Sequence, residues 1–317
     1  MVLESLVSLK EGIKNPLSVF YLSVIVTLIS FIISFIIFKH DVGLYSVILT
    51  TFGLIPFMTK LCLYEGKKVN MKREEGILNL LFFYLKDKKS ILRLLGWMFV
   101  PFFLGLLLFL NSLNITVLVL LFLSLYLGIF LIASLFLFSF YREVIMVFVA
   151  AFTGMTLTFS IIYLLLPAEI AEKTFKTQID EIKAIRGYFW LGGTFQTILA
   201  NNIGVLFIVF LFSFIYGSGA IFILAWNASI LATAASMLAN SLGGAYKLPI
   251  ALISYLPHGS LEIIAYFLAA IAGAIVSYYF TRNSKSSVVI EDSLLLLALG
   301  LVFLLLGAAI ETILMIS

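Results

Sequence analysis

Long apolar runs alternate with short polar breaks along this chain. Leu17 to Phe38 and Gly43 to Leu63 are separated by little more than Lys39, His40 and Asp41. Comparable runs follow at 94–110, 115–140, 144–166, 195–216, 220–240, 260–280 and 293–316. Each comes close to the roughly 20 apolar residues that carry a helix across a bilayer. Inside lipid every backbone N–H and C=O must be bonded within its own segment, so each run is predicted to be a helix. The pattern therefore predicts an all-α, polytopic transmembrane helix bundle of about nine spans, eight to nine.

Three stretches do not fit the pattern. Between Lys60 and Arg93, nine lysines and arginines surround a short apolar patch, Ile77 to Leu85. It is too short to span and is predicted to be an interfacial amphipathic segment, its lysines near anionic headgroups. In Pro167 to Gly193 acids and bases balance, which predicts a solvated helix plus turn. Pro249 to Pro257 is apolar but short, and Pro257 and Gly259 interrupt it before the next run. A broken helix is expected near residues 249–260, a feature tolerated only beside protein or a water-filled cavity. The chain divides into an N-terminal bundle with the basic segment, 1–140, and a C-terminal transmembrane region, 141–317.

Composition agrees with lipid as the surrounding solvent. Hydrophobic residues make up 63% of 317 and charged residues 11%, with a mean hydropathy of +1.18. A soluble domain carries about 25% charged residues. The first run is too long for a signal-peptide core and no small-residue cleavage site follows it, so it is expected to be retained. Cys62, the single cysteine, excludes an intrachain disulfide. The net charge of +4 does not point to nucleic acid, because the basic residues lie between spans. With the N-terminus cytoplasmic, fourteen of the 20 lysines and arginines fall on the inner side. That bias predicts a multi-pass protein of the cell membrane with its N-terminus inside.

Polar side chains within apolar runs are costly, and each needs a partner or a function. Asn201 and Asn202 lie inside the sixth run, pointing about 100° apart on a helix. One is expected to grip a neighbouring helix and the other to face a cavity. Asn227 stands among small residues that allow close helix contact, from Gly217 to Ser236. His258 and Glu262, four apart, share a helix face beside Pro257 and Gly259. Such a pair can bond internally, handle a proton or ion, or join in holding a divalent metal, and all three alternatives stay open. A metal would need further ligands, since zinc usually takes at least three from protein. Glu311, near the end of the last run, is a candidate partner for His258. The functional cluster is thus Asn201, Asn202, Asn227, His258, Glu262 and Glu311. No nucleophile elbow, P-loop, dinucleotide fingerprint or H-E-x-x-H occurs, so the reading leans away from an enzyme and predicts no cofactor beyond that metal alternative.

These residues carry a resemblance. Asn201-Asn202, Tyr216-Gly217-Ser218-Gly219-Ala220 running into Trp226-Asn227-Ala228-Ser229, and His258-Gly259-Ser260-Leu261-Glu262 are similar to the stage II sporulation protein M family, most of all its archaeal-type members. Ile263 to Ser277, Glu291-Asp292-Ser293 and Glu311 resemble the family's closing elements. The N-terminal half is similar more loosely, through Asn15-Pro16, Pro56 and Glu74-Glu75. Ala232 stands where a glycine is common in the family. The likeness is specific over about 190–317. It implies a membrane-embedded anchor or scaffold, as the namesake is in a complex that couples septal wall degradation to engulfment, a process that archaeal-type relatives do not have.

Three function classes follow. One is a scaffold or assembly component that recruits protein partners through the basic segment 60–93. Another is a transporter or channel for an ion, small solute or lipid, built on the polar cluster. A third is a metal-assisted intramembrane hydrolase using His258 and Glu262. Small-residue faces at 217–236 and 265–274 also make a homodimer an expected arrangement within the lipid bilayer.

Overall fold

The computed structural model describes residues 7–72, 115–190, 195–281 and 288–316. Every regular element among them is helical. In chain order these are α1 Leu9–Lys14, α2 Pro16–Ile37, α3 Val42–Lys72, α4 Ile115–Leu165, α5 Ala168–Thr174, α6 Lys176–Trp190, α7 Phe195–Tyr216, α8 Ala220–Ser241, α9 Leu248–Thr281 and α10 Val288–Ile316. Among the described residues, seven stretches are long and apolar enough to cross a membrane: Pro16–Ile37, Val42–Lys67, Phe140–Leu165, Phe195–Tyr216, Ala220–Ser241, Ala245–Thr281 and Val289–Thr312. Of the two other expected spans, 94–110 lies outside the described residues, and 115–140 is the first part of α4. The patch Ile77 to Leu85 also lies outside them. The basic positions before it, through Lys72, extend the helix of the second span.

Residues 1–72 and 143–317 form one compact unit, and 73–142 form another. The first two spans thus pack with the C-terminal region, where a division at 140/141 was expected. In this first unit α9 is central, packing against α3, α7, α8 and α10. Its residues Ala265 to Ile275 are all buried, as expected of a helix that is apolar all round. Small side chains let its neighbours come close. A Cβ added at Gly273 would lie 2.5 Å from the Phe210 carbonyl oxygen of α7. Ser213 of α7 donates to the Ala270 carbonyl at 2.6 Å, and Ser293 of α10 donates to the Ala272 carbonyl at 3.1 Å. Phe148 of α4 stacks on Phe267 of α9, ring centroids 5.4 Å apart. Hydroxyl-to-carbonyl bonds and close backbones are the means of helix association where lipid supplies no hydrophobic drive.

Two expectations are corrected. The break at Pro257–Gly259 is absent: α9 is one 34-residue helix with Pro257 inside it. Proline removes one backbone donor, yet within a membrane neighbouring helices and hydroxyl side chains hold such a helix together. The carbonyl left without its helical donor is that of Ile253, four residues before Pro257. The expected turn of the chain lies earlier, at Gly243 and Gly244, where φ is +118° and +124°.

The mixed-charge stretch is also less solvated than its charges suggest. Phe175 is fully buried, and Gln178, Ile179 and Ile182 are buried with it. Gln178 donates to Ser229 of α8 at 3.4 Å and sits against Gly43 of α3, where a Cβ would lie 2.7 Å from its Oε1. The charged residues Lys176, Asp180, Glu181 and Lys183 keep to the exposed face. α6 is therefore a capping helix seated in the bundle by one stripe.

Candidate functional site

A cavity of about 950 Å³ opens among α4, α6, α7, α8, α9 and α10. All six polar residues singled out in the sequence line it: Asn201, Asn202, Asn227, His258, Glu262 and Glu311. Helical spacing explains the convergence. On α9, His258, Glu262 and Tyr266 recur every four residues and form one stripe. On α7, Asn202 is buried beneath that stripe, and Asn201, one residue earlier, is exposed.

The polar groups form a connected chain. The Tyr266 hydroxyl donates to Asn202 Oδ1 at 3.1 Å. Asn202 Nδ2 donates in turn to Glu262 Oε1 at 2.7 Å. Because Oδ1 can only accept, the tyrosine fixes which way the amide faces. Glu311 of α10 lines the same cavity as Glu262. Close approach of α9 and α10 at this level depends on Gly307, whose added Cβ would lie 3.2 Å from Glu262 Cγ.

Not every expected partnership forms. Glu311, the candidate partner for His258, lines the same cavity as His258 and Glu262. His258 packs edge-on against Tyr255, ring centroids 6.1 Å apart, and its buried Nδ1 has no hydrogen-bond partner among the described residues. Asn227 bonds back to the Ile223 carbonyl of its own helix at 2.8 Å, so its amide serves α8 while its side chain lines the cavity. Among the described residues, no group of three or more His, Cys, Asp or Glu side chains could hold a metal ion.

Two contributors escaped the sequence reading. Tyr266 was taken as part of an apolar run, although its four-residue step from Glu262 marked it as lying on the same face. Glu181 of α6 also lines the cavity. The stripe Phe175, Gln178, Ile179 and Ile182 could have revealed that α6 belongs to the bundle. In sum the lining carries three carboxyl groups and, among the described residues, no lysine or arginine.

No curated protein and no solved structure matches the chain. Residues 173–314 match the family model described as Stage II sporulation protein M. That range contains α7 to α9, nearly all of α10, and each of the six polar residues. Over residues 173–314 the chain is therefore similar to the stage II sporulation protein M family.

Proposed function

We propose that this chain is a membrane protein that binds a small positively charged solute in its central cavity and passes it across the bilayer. The observation that carries this reading is the lining, with Glu181, Glu262 and Glu311 and, among the described residues, no basic side chain against them. A cavity of about 950 Å³ is in the range that holds small organic molecules, not only bare ions. Glu262 and Glu311 are half-buried, whereas Glu181 keeps to the exposed face, and carboxylates between low-dielectric walls attract cations more strongly than the same groups in water. Polar groups at membrane depth, supplied by several helices, are a common way to build a transport site.

Proteoliposomes provide the test. Passage of potassium, choline and ethylammonium is measured for the natural protein and for a Glu262→Gln, Glu311→Gln double variant. The expected result is passage of at least one cation above empty vesicles, lost in the double variant. Passage indistinguishable from empty vesicles for every cation would sink the reading.

The match of residues 173–314 to that family model favours a second reading, a membrane-embedded scaffold or assembly component like the namesake. The polar cavity is then an internal network that fixes helix positions. This reading predicts co-purifying proteins that are lost when Lys67, Lys68, Lys72 and Arg73 are neutralised. Retention of those proteins by the neutralised variant would count against it.

A further inference from the structure

The cavity has two unlike walls. α10 packs against α9 and α7, while α8 packs against α9, α7, α6 and α3, so α9 and α7 stand between the α10 wall and the α8 wall. Two carboxyl groups belong to the first wall. Glu311 lines the cavity from α10, and Glu262 runs along the same helix, its Cγ 3.2 Å from where a Cβ at Gly307 would stand. Asn202 holds Glu262 from α7 at 2.7 Å and is itself held by Tyr266 at 3.1 Å, so both ends of that amide are engaged. The α8 wall is apolar. Its lining residues Asn227, Ile230, Leu231 and Ala234 follow one helical stripe. The Asn227 amide N–H turns back to the Ile223 carbonyl at 2.8 Å, and from Ile230 onward the stripe offers hydrocarbon alone. Phe152 of α4 adds a ring to the lining, set edge-on against Phe267 with centroids 6.1 Å apart.

Size decides what such a cavity suits. A water-sized ion takes up about 30 Å³, a small part of about 950 Å³, and it would leave the α8 wall facing only water. Hydrocarbon carried by the same ion would cover that wall. Each methylene so buried is worth about fourfold in affinity.

We propose that the solute is an alkylated ammonium ion, taken up from water, with its charge at the Glu262–Glu311 wall and its hydrocarbon against Ile230, Leu231 and Phe152. This rests on the cation-binding reading above and gives it a substrate class. An ammonium whose hydrogens are replaced by alkyl groups asks for few hydrogen bonds or none, which suits a wall where Asn202 and Tyr266 already bond to each other. The rings of Tyr255, Tyr266 and Phe152 in the lining are of the kind that attract such a cation. Gln196, Thr197 and Asn201 line the cavity and are exposed, so its mouth is polar and fits a solute arriving from water.

The test uses the full chain in dodecyl maltoside micelles. It is equilibrated with tetramethylammonium and with the ethyl, propyl and butyl trimethylammonium homologues, and binding is counted by dialysis against empty micelles. Affinity is expected to rise about two- to fourfold with each methylene. Two variants separate the walls. Glu262→Gln should weaken every homologue by a similar factor, about tenfold or more. Gly259 lines the cavity and a Cβ there meets nothing within 4 Å, so Gly259→Leu is expected to fold and to fill part of the space. It should weaken the butyl homologue most and flatten the series. Phosphatidylcholine added to the micelles carries the same trimethylammonium group. Unchanged affinity for the butyl homologue would support a free solute, and its loss would assign the cation to a lipid headgroup and overturn uptake from water. A flat series in the natural chain would overturn the hydrocarbon wall and leave the cation-binding reading standing. Binding of choline's uncharged carbon isostere as tightly as choline itself would overturn the cation-binding reading, and this proposal with it. If no homologue binds, the alkylated ammonium falls, whereas the cation-binding reading is still judged by potassium passage.

Discussion

The carboxyl pair depends on residues that never need to touch a solute. Tyr266 orients Asn202, and Asn202 holds Glu262. Tyr266→Phe removes one donor and should cost about 0.5–1.5 kcal/mol, the usual net worth of a hydrogen bond. Asn202→Leu also leaves a buried Glu262 oxygen without its donor and should cost more, about 1–3 kcal/mol. Reversible unfolding in mixed micelles would check the order, and equal costs would argue that the amide is not held by the tyrosine. Glycines make a second comparison. A Cβ at Gly259 meets nothing within 4 Å, so Gly259→Ala should be neutral or stabilise α9 by up to about 1 kcal/mol. Gly273→Ala would press on the Phe210 backbone and should cost about 1–3 kcal/mol. At this scale the sequence was informative, since Asn, His and Glu stand out against hydrocarbon. Tyr266 did not stand out because a tyrosine is at home in an apolar run. The meeting of Glu262 and Glu311 in one cavity was not legible because nothing local says which of two distant helices will be neighbours.

The elements were legible to the extent that lipid imposes them. α2, α7 and α8 follow their apolar runs closely, since a spanning run has no alternative to helix. The misreading at Pro257 has a physical source. Proline and glycine break helices in water, where solvent competes for the freed carbonyls, but inside the bundle that competitor is absent. α6 was misread in the opposite sense. Its charges were counted as a total, whereas their placement on one face decided the matter, leaving Phe175 and Gln178 for the interior.

For the whole molecule, composition sufficed to name the solvent, and the distribution of lysine and arginine supports a cytoplasmic N-terminus. Cys62, the only cysteine, is buried in α3, away from a water-borne reagent. The folded natural chain should therefore resist a membrane-impermeant maleimide, and cysteines introduced at Lys10 and Lys39 can be read against that background. Labelling from outside is expected at position 39 and not at position 10; the reverse pattern would overturn the orientation. The way residues 1–72 join 143–317 could not be read from the order of runs, because a run carries no address for its partner.

α9 has 34 residues and is about 51 Å long at 1.5 Å per residue. A hydrocarbon core is about 30 Å thick. The helix must lean or protrude, and the lean fixes how deep Glu262 sits. Membrane thickness thereby becomes a control on the site, acting from outside the protein with no ligand at all. In vesicles of short-chain lipid α9 should stand at a different tilt from that in long-chain lipid. Cation passage measured across a series of acyl-chain lengths should then show an optimum, and a flat response would mean that α10, fastened to α9 at Gly307, holds the carboxyl pair at one depth whatever the bilayer does.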